Sequence, residues 1–383
     1  MSTVPASISV LQWAASRAWL NDAELEKRFR KWPLWLKGEA LPTLKQLEEF
    51  SRLTHTPFGY FFLPAPPEVT LPVPDFRTHH DVLFREPSTA LLDTIYLCQQ
   101  RQEWYRDYAL MQGLPPLRFV GSATLADDPD VVAAQMRQVL SLSVAERQAL
   151  PTWTDALRQL VARAEDAGVL VMATSIVGSN SHRKLDTKEF RGFALADEFA
   201  PLVFLNAADS KAAQMFTLAH ELAHIWLAAS GLSDPEAGIL PEQQVERWCN
   251  RVAAELLVPS EELRAVHNST LAVKVEMQQL ARFFKVSTLV VLRRLYEAGL
   301  INWETMNQCY SEELERILAL EGGKSSGGDF YRTLGARTGK RFARAVLSST
   351  LEGHTLFRDA FRLLGVRKTA TFYEAAHELG VIP

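Results

Sequence analysis

His220, Glu221 and His224 fall within the stretch Leu218-Ala219-His220-Glu221-Leu222-Ala223-His224-Ile225-Trp226-Leu227. Residues four apart share one face of a helix. About 6 Å of rise lets both imidazoles reach one metal ion at about 2.0–2.1 Å. Glu221, one residue beyond the first histidine, lines the open side of such an ion without ligating it, which is where a general base acting on metal-bound water must stand. Composition alone would produce this pattern in about one chain of this length in a hundred. The flanks decide the matter. Leu218, Ala219, Leu222, Ala223 and Ile225 make the helix apolar, and two histidines and a glutamate are costly to bury there without partners.

Zinc takes four ligands and, in catalytic sites, keeps one position open, so a third protein ligand is required. Glu246 and Asn250 are again four apart, and Ala253 and Ala254 continue that side with residues small enough for close helix packing. We assign Glu246 as the third ligand. Asn250 is placed behind a histidine, orienting it through its free ring nitrogen. Glu242, one turn earlier, is the rival ligand, and a solvent-facing Glu246 is the ordinary alternative. Zinc would bring its water to a pKa of about 7, and Glu221 would take the proton and return it to the leaving amine. Arg191, His182 and Arg183 precede the helix as candidate oxyanion donors, with a surface role as the plainer reading of each. Leu202–Asn206, if it is an edge strand, could pair with an extended peptide.

The elements that position these residues are mixed. Residues 8–63 read as short helices: Ile8–Trp19, Asp22–Lys31 capped by Asn21 or Asp22, and Thr43–Leu53 with an apolar stripe of Leu44, Leu47 and Phe50. Leu63–Asp75 carries five prolines and can be neither helix nor central strand. Helices follow at Ser88–Gln112, Pro129–Leu140 and Thr152–Ala167. Apolar runs at Val169–Thr174, Phe190–Ala196 and Leu202–Asn206 are strands. Helices at about 210–229 and 242–257 then hold the candidate ligands, and Met277–Leu300 forms a helix pair read as core. The expected organisation is a helical domain at 1–63, a proline-rich linker at 64–87, a catalytic domain at 88–321, a Gly/Ser linker at 322–328 and a small helical domain at 329–383. The Gly/Ser run lacks the spacing and the preceding strand of a phosphate loop.

Formal net charge is −4, so no global basic field draws in nucleic acid. Three cysteines, Cys98, Cys249 and Cys309, are too few and too scattered for a disulfide framework or a Cys-rich metal site. They fit a reducing, cytoplasmic setting. Residues 1–19 show no basic segment followed by a long apolar run, so no signal peptide is expected. No stretch approaches 18 apolar residues, so no membrane association is expected.

Phe190-Arg191-Gly192-Phe193, then Phe216 to His224, then Glu246-x-x-Cys249-Asn250-x-x-Ala253-Ala254-x-Leu256-Leu257-x-Pro259 together resemble the ImmA/IrrE family of bacterial metallopeptidases over residues 168–260. The resemblance implies an α+β, mainly helical chain. Its core would be a zincin-like catalytic domain with a small sheet, flanked by helical N- and C-terminal regions. It places His220, His224 and Glu246 on the family's zinc ligands and Glu221 on its catalytic glutamate. It also implies an endopeptidase acting on a partner protein, a repressor or antitoxin encoded nearby, in phage induction, stress response or a toxin–antitoxin-like module. Trp35–Glu39, Pro42-Thr43-Leu44-x-Gln46-Leu47 and Pro57 to Leu63 are similar to an Xre-type helix-turn-helix. The place of its recognition helix holds the apolar Trp32-Pro33-Leu34-Trp35-Leu36, which favours a degenerate module over DNA binding. Two other functions stay in view: neutralising or scaffolding a partner such as a toxin with zinc only structural, and DNA-binding regulation through residues 8–63.

Overall fold

The computed structural model describes residues 3–75, 87–233, 243–320 and 330–382. The Gly/Ser run at 322–328 and Glu242 lie outside them. The described chain is mainly helical with a small mixed sheet, an α+β arrangement. No helix among the described residues is long and apolar enough to cross a membrane.

Two compact units can be separated. One comprises the residues up to Pro72, the first turns of the helix Thr89–Met111, and Ser181–Lys184. Its helices are Ile8–Arg17, Asp22–Arg28, Trp32–Leu36 and Leu44–Thr54. Asn21 and Thr43 each close a capping box, with Glu24 and Gln46 returning the hydrogen bond, which is why these short helices start where they do. Asp22–Arg28 stops three residues before the expected Lys31. The chain turns there to bring Trp32 and Trp35 inward, where they pack with Phe29, Phe50 and Phe61.

The other unit holds the sheet and the candidate site. Its strands are Leu170–Thr174 (β1), Ile176–Val177 (β2), the start of Asn180–Lys184 (β3), Gly192–Leu195 (β4), Leu202–Asn206 (β5) and Gly231–Ser233 (β6). The principal sheet runs in the order β1-β5-β4-β6, with β1 and β5 parallel and the other pairs antiparallel. The expectation that Leu202–Asn206 might form an edge is therefore wrong. All five residues are buried and paired on both sides, as an unbroken apolar run in an interior strand requires. The edges are β1 and β6. At β1 a Cβ added to Gly339, whose φ is +77°, would stand 2.8 Å from the Val171 carbonyl, so the C-terminal helices close over that strand. At β6 the Leu232 amide donates to the Pro74 carbonyl at 2.9 Å, and Asp75 bridges Leu232 in parallel.

One apolar core joins the sheet to the helices Pro129–Val139, Trp153–Asp166, Lys211–Trp226, Gln244–Leu257, Val273–Phe284 and Thr288–Glu297. The last two form the pair expected at 277–300. Met277, Leu280, Phe284, Val290, Val291 and Leu295 are all buried in this core, so the pair does serve the core of the site-bearing unit.

Candidate metal centre

The helix Lys211–Trp226 starts at Ser210, whose hydroxyl accepts the Ala213 amide at 3.1 Å. Every residue from Gln214 to Trp226 is buried, the pattern of a helix apolar all round and packed on all sides. It ends three residues short of the expected Ala229. A preceding segment takes over its last carbonyls: the Gly121 amide donates to Ile225 at 3.2 Å and the Ala123 amide to Trp226 at 3.0 Å, while Phe119 stacks on Trp226.

The second helix, Gln244–Leu257, packs against the first and is anchored by three guanidinium groups from separate helices. Arg137 donates to the Glu255 carbonyl at 2.7 Å, Arg147 to Leu257, and Arg294 to Val258 at 3.0 Å. Cations at a helix C-terminus satisfy its free carbonyls and oppose its dipole. Arg294 also pairs with the Glu255 carboxylate, so its own charge is compensated in the core.

This packing brings together His220, His224 and Glu246, all buried. Nε2 of His220 lies 3.1 Å from Nε2 of His224 and 3.1 Å from Oε2 of Glu246, and Nε2 of His224 lies 3.0 Å from Oε1 of Glu246. Donors held tetrahedrally at about 2.0–2.1 Å from an ion stand about 3.3 Å apart, so the triangle fits a metal of that size. Charge points the same way. Glu221 and Glu246 are both buried here, and two carboxylates out of water call for a cation. Burial pushes the Glu246 carboxyl up, but the His220 charge and hydrogen bonds from both histidines outweigh it and hold the group at about 2. Burial lowers the pKa of His224, against the pull of Glu246, which favours the neutral imidazole that ligates metals. Asn250 Oδ1 is 2.9 Å from His220 Nδ1, the supporting position expected of it.

Glu221 lies fully buried beside this group. Burial drives its carboxyl well above the usual carboxylate range, and the Glu246 charge adds to this. Ser233 Oγ lies 3.3 Å from His224 Nε2. The sheet makes room from below: a Cβ on Gly192 would sit 2.7 Å from Thr217 Cγ2, 2.9 Å from the Phe204 carbonyl and 3.1 Å from Glu221 Oε1. Sequence reasoning missed Ser233 altogether. It noted Gly192 within a motif without a reason for it; the reason is this close approach of strand and helix.

The other candidates have the following surroundings in place of a metal-site contact. Arg191 is bound to Asp209 at 2.9 Å, Arg183 to Asp93 at 2.6 Å, and His182 is exposed.

Residues 164–296, about a third of the chain, match a peptidase family described as the IrrE N-terminal-like domain. The match spans both ligand-bearing helices and the sheet from β1 to β6, so the chain carries a domain of this family with a zincin-like α+β core. It supports a metallopeptidase-type function in general. Residues 338–378 match a domain of unknown function (DUF8813). No curated protein matches the chain.

Proposed function

We propose that this protein is a cytoplasmic zinc-dependent endopeptidase that hydrolyses a peptide bond in a partner protein of the repressor or antitoxin type. The observation that carries the reading is the convergence of His220, His224 and Glu246 on one buried point, with Glu221 alongside but outside the donor triangle. His220, His224 and Glu246 would hold the zinc. When bound, zinc supplies a Lewis acid that polarises the scissile carbonyl and makes water acidic near neutral pH. Glu221 takes the proton from the attacking water. Its buried setting favours proton uptake, as a general base working near neutral pH needs. It then delivers that proton to the departing amine. Asn250 keeps His220 in the tautomer whose Nε2 lone pair faces the site. DNA recognition through residues 8–63 has the weaker footing, because Trp32 and Trp35, where a recognition helix would lie, sit in the core.

Purified protein should hold close to one zinc per chain. Glu221→Gln should retain it and lose hydrolysis of the protein encoded by the neighbouring gene. A chain without zinc, or a Glu221→Gln variant with unchanged cleavage, would overturn the reading.

A further inference from the structure

The helix Lys340–Leu351 packs on β1, and the helices Phe357–Leu364 and Thr369–Glu378 pack on that helix in turn. They stand at the opposite edge of the sheet from β6, whose Ser233 lies beside His224. Four strands put about 14 Å between those edges. The C-terminal helices carry a continuous run of aromatic rings. The Phe357 ring centroid lies 6.1 Å from that of Phe361, 5.1 Å from Phe372 and 6.4 Å from Tyr373. Phe372 is fully buried, whereas Phe357 is 41% exposed and Tyr373 44%. Leu356 is 65% exposed and occupies the capping position of the helix Phe357–Leu364, which no side chain caps. That position favours Ser, Thr, Asp or Asn. A bare leucine there breaks a local rule with no return inside this chain, the mark of a surface used for something outside it. Beside the aromatic stripe of Phe357 and Phe361 runs a second, of Arg358 and Arg362, again four apart. Both guanidinium groups are largely exposed and share Asp359, at 3.6 and 3.9 Å. Between 356 and 374 four cations, Arg358, Arg362, Arg367 and Lys368, face two carboxylates, Asp359 and Glu374. The chain as a whole carries −4, so this face is opposite in sign to the rest.

We propose that this face is a docking surface for an acidic polypeptide segment with apolar anchor residues, carried by the protein that the peptidase cleaves. The inference rests on the peptidase reading for the identity of the partner and adds the means of holding it. Leu356, Phe357 and Tyr373 offer the apolar contact, and the arginine stripe selects carboxylates and steers them in. Nucleic acid fits less well. A base stacks on an open ring face, but Phe357 meets Phe361 at 82° and Phe372 at 61°, so its neighbours close on it edge to face. The negative charge of the whole chain also repels phosphates. A second contact away from the metal raises the local concentration of the scissile segment without demanding tight binding at the metal itself.

The test uses the full chain with Glu221→Gln to prevent hydrolysis, and fluorescence anisotropy of two labelled peptides: three Glu-Glu-Leu-Phe repeats, and three Lys-Lys-Leu-Phe repeats. The glutamate peptide should bind, more weakly as salt rises. Adding Arg358→Glu and Arg362→Glu should weaken it about 10-fold and make the lysine peptide the better ligand. Leu356→Ser should weaken it about 5-fold, the loss of one half-buried anchor. The same change should raise the Tm, since serine caps the helix; a merely structural leucine would not couple better folding to poorer binding. No binding of the glutamate peptide, equal affinity for the two peptides, or wild-type affinity in Leu356→Ser overturns the proposal. So does tighter binding of a DNA duplex of about 20 base pairs or of phosphatidylglycerol vesicles, or self-association of the chain that Leu356→Ser abolishes. With Glu221 restored and the protein encoded by the neighbouring gene as substrate, the arginine variant should raise KM about 10-fold and leave kcat unchanged. An unchanged KM overturns docking while the peptidase reading stands. Peptide binding without any cleavage by the wild type overturns the peptidase reading and leaves the acidic-segment surface.

Discussion

Asn250 accepts a hydrogen bond from His220 across the helix pair, Oδ1 to Nδ1 at 2.9 Å. The contact ties the two histidine-bearing turns to the helix that contributes Glu246, and it fixes which ring nitrogen is free to ligate. Glu246 and Asn250 therefore act at different depths, and their removal should be distinguishable. Glu246→Ala leaves two imidazoles and no anionic donor, so zinc should be lost to a competing chelator. Asn250→Ala should lower affinity by the smaller factor of about 10–100 typical of supporting groups. Chelator competition with circular dichroism as a fold control makes the measurement. Equal losses in the two variants would show that Glu246 is not a ligand.

Gly192 should tolerate no side chain. Gly192→Ala places a Cβ against the Phe204 carbonyl and Thr217 as well as Glu221, and a backbone atom cannot swing aside as a side-chain end can. Overpacking of this kind costs about 1–3 kcal/mol. Urea unfolding should report that loss as a lower midpoint.

Glu165 supplies a pH test away from the metal. Its carboxylate accepts the Arg341 amide at 3.1 Å, taking the place of a cap on the helix Lys340–Leu351, where Gly339 offers no side chain. Burial raises its pKa despite the backbone amides of Arg341 and Lys340 and the nearby Lys340 and Arg344 charges. A carboxyl with a raised folded-state pKa stabilises the fold fully while protonated, below its unfolded value of about 4.3, and loses that contribution as pH rises through the raised value. Glu165→Gln cannot ionise. Its Tm relative to wild type should therefore improve between about pH 4 and pH 8, and a pH-independent difference would refute the assignment.

The three thiols should be inert in the native state. Burial pushes Cys98 up to about 12, Cys249 well above the ordinary thiol value and Cys309 upward. The thiolate is the nucleophile, so iodoacetamide at about pH 8 should leave native protein unmodified by mass spectrometry and label all three cysteines after denaturation. Native labelling of Cys249 would reveal opening of the core beside the site.

The parts of the site legible in the sequence are those carried by helix periodicity. The four-residue offsets of His220 with His224 and of Glu246 with Asn250 are local, and a helix converts them into faces without reference to the rest of the chain. Strand partnership is not local in that way. Leu202–Asn206 reads as a strand from composition, but its interior place depends on Gly192–Leu195 pairing on one side and Leu170–Thr174 on the other. Gly231–Ser233 is too short to show alternation, so nothing in its neighbourhood announces that Ser233 reaches the site. The arginines that anchor Gln244–Leu257 come from residues 110 or more positions upstream for Arg147 and Arg137, and 36 downstream for Arg294. On a sequence they look like solvated surface charge.

The treatment of the two sheet edges bears on how the molecule meets other polypeptides. Only Leu232 of the three β6 residues turns its amide outward, and Pro74 already holds it; at the far side Gly339 lies against Val171. Within the described residues the β6 edge presents no open row of amides, and so no template there on which a second chain could register and grow. Proteins with bare edges risk association of that kind during folding and at high concentration. At the β6 edge the chain's own backbone at Pro74 and Asp75 answers that hazard.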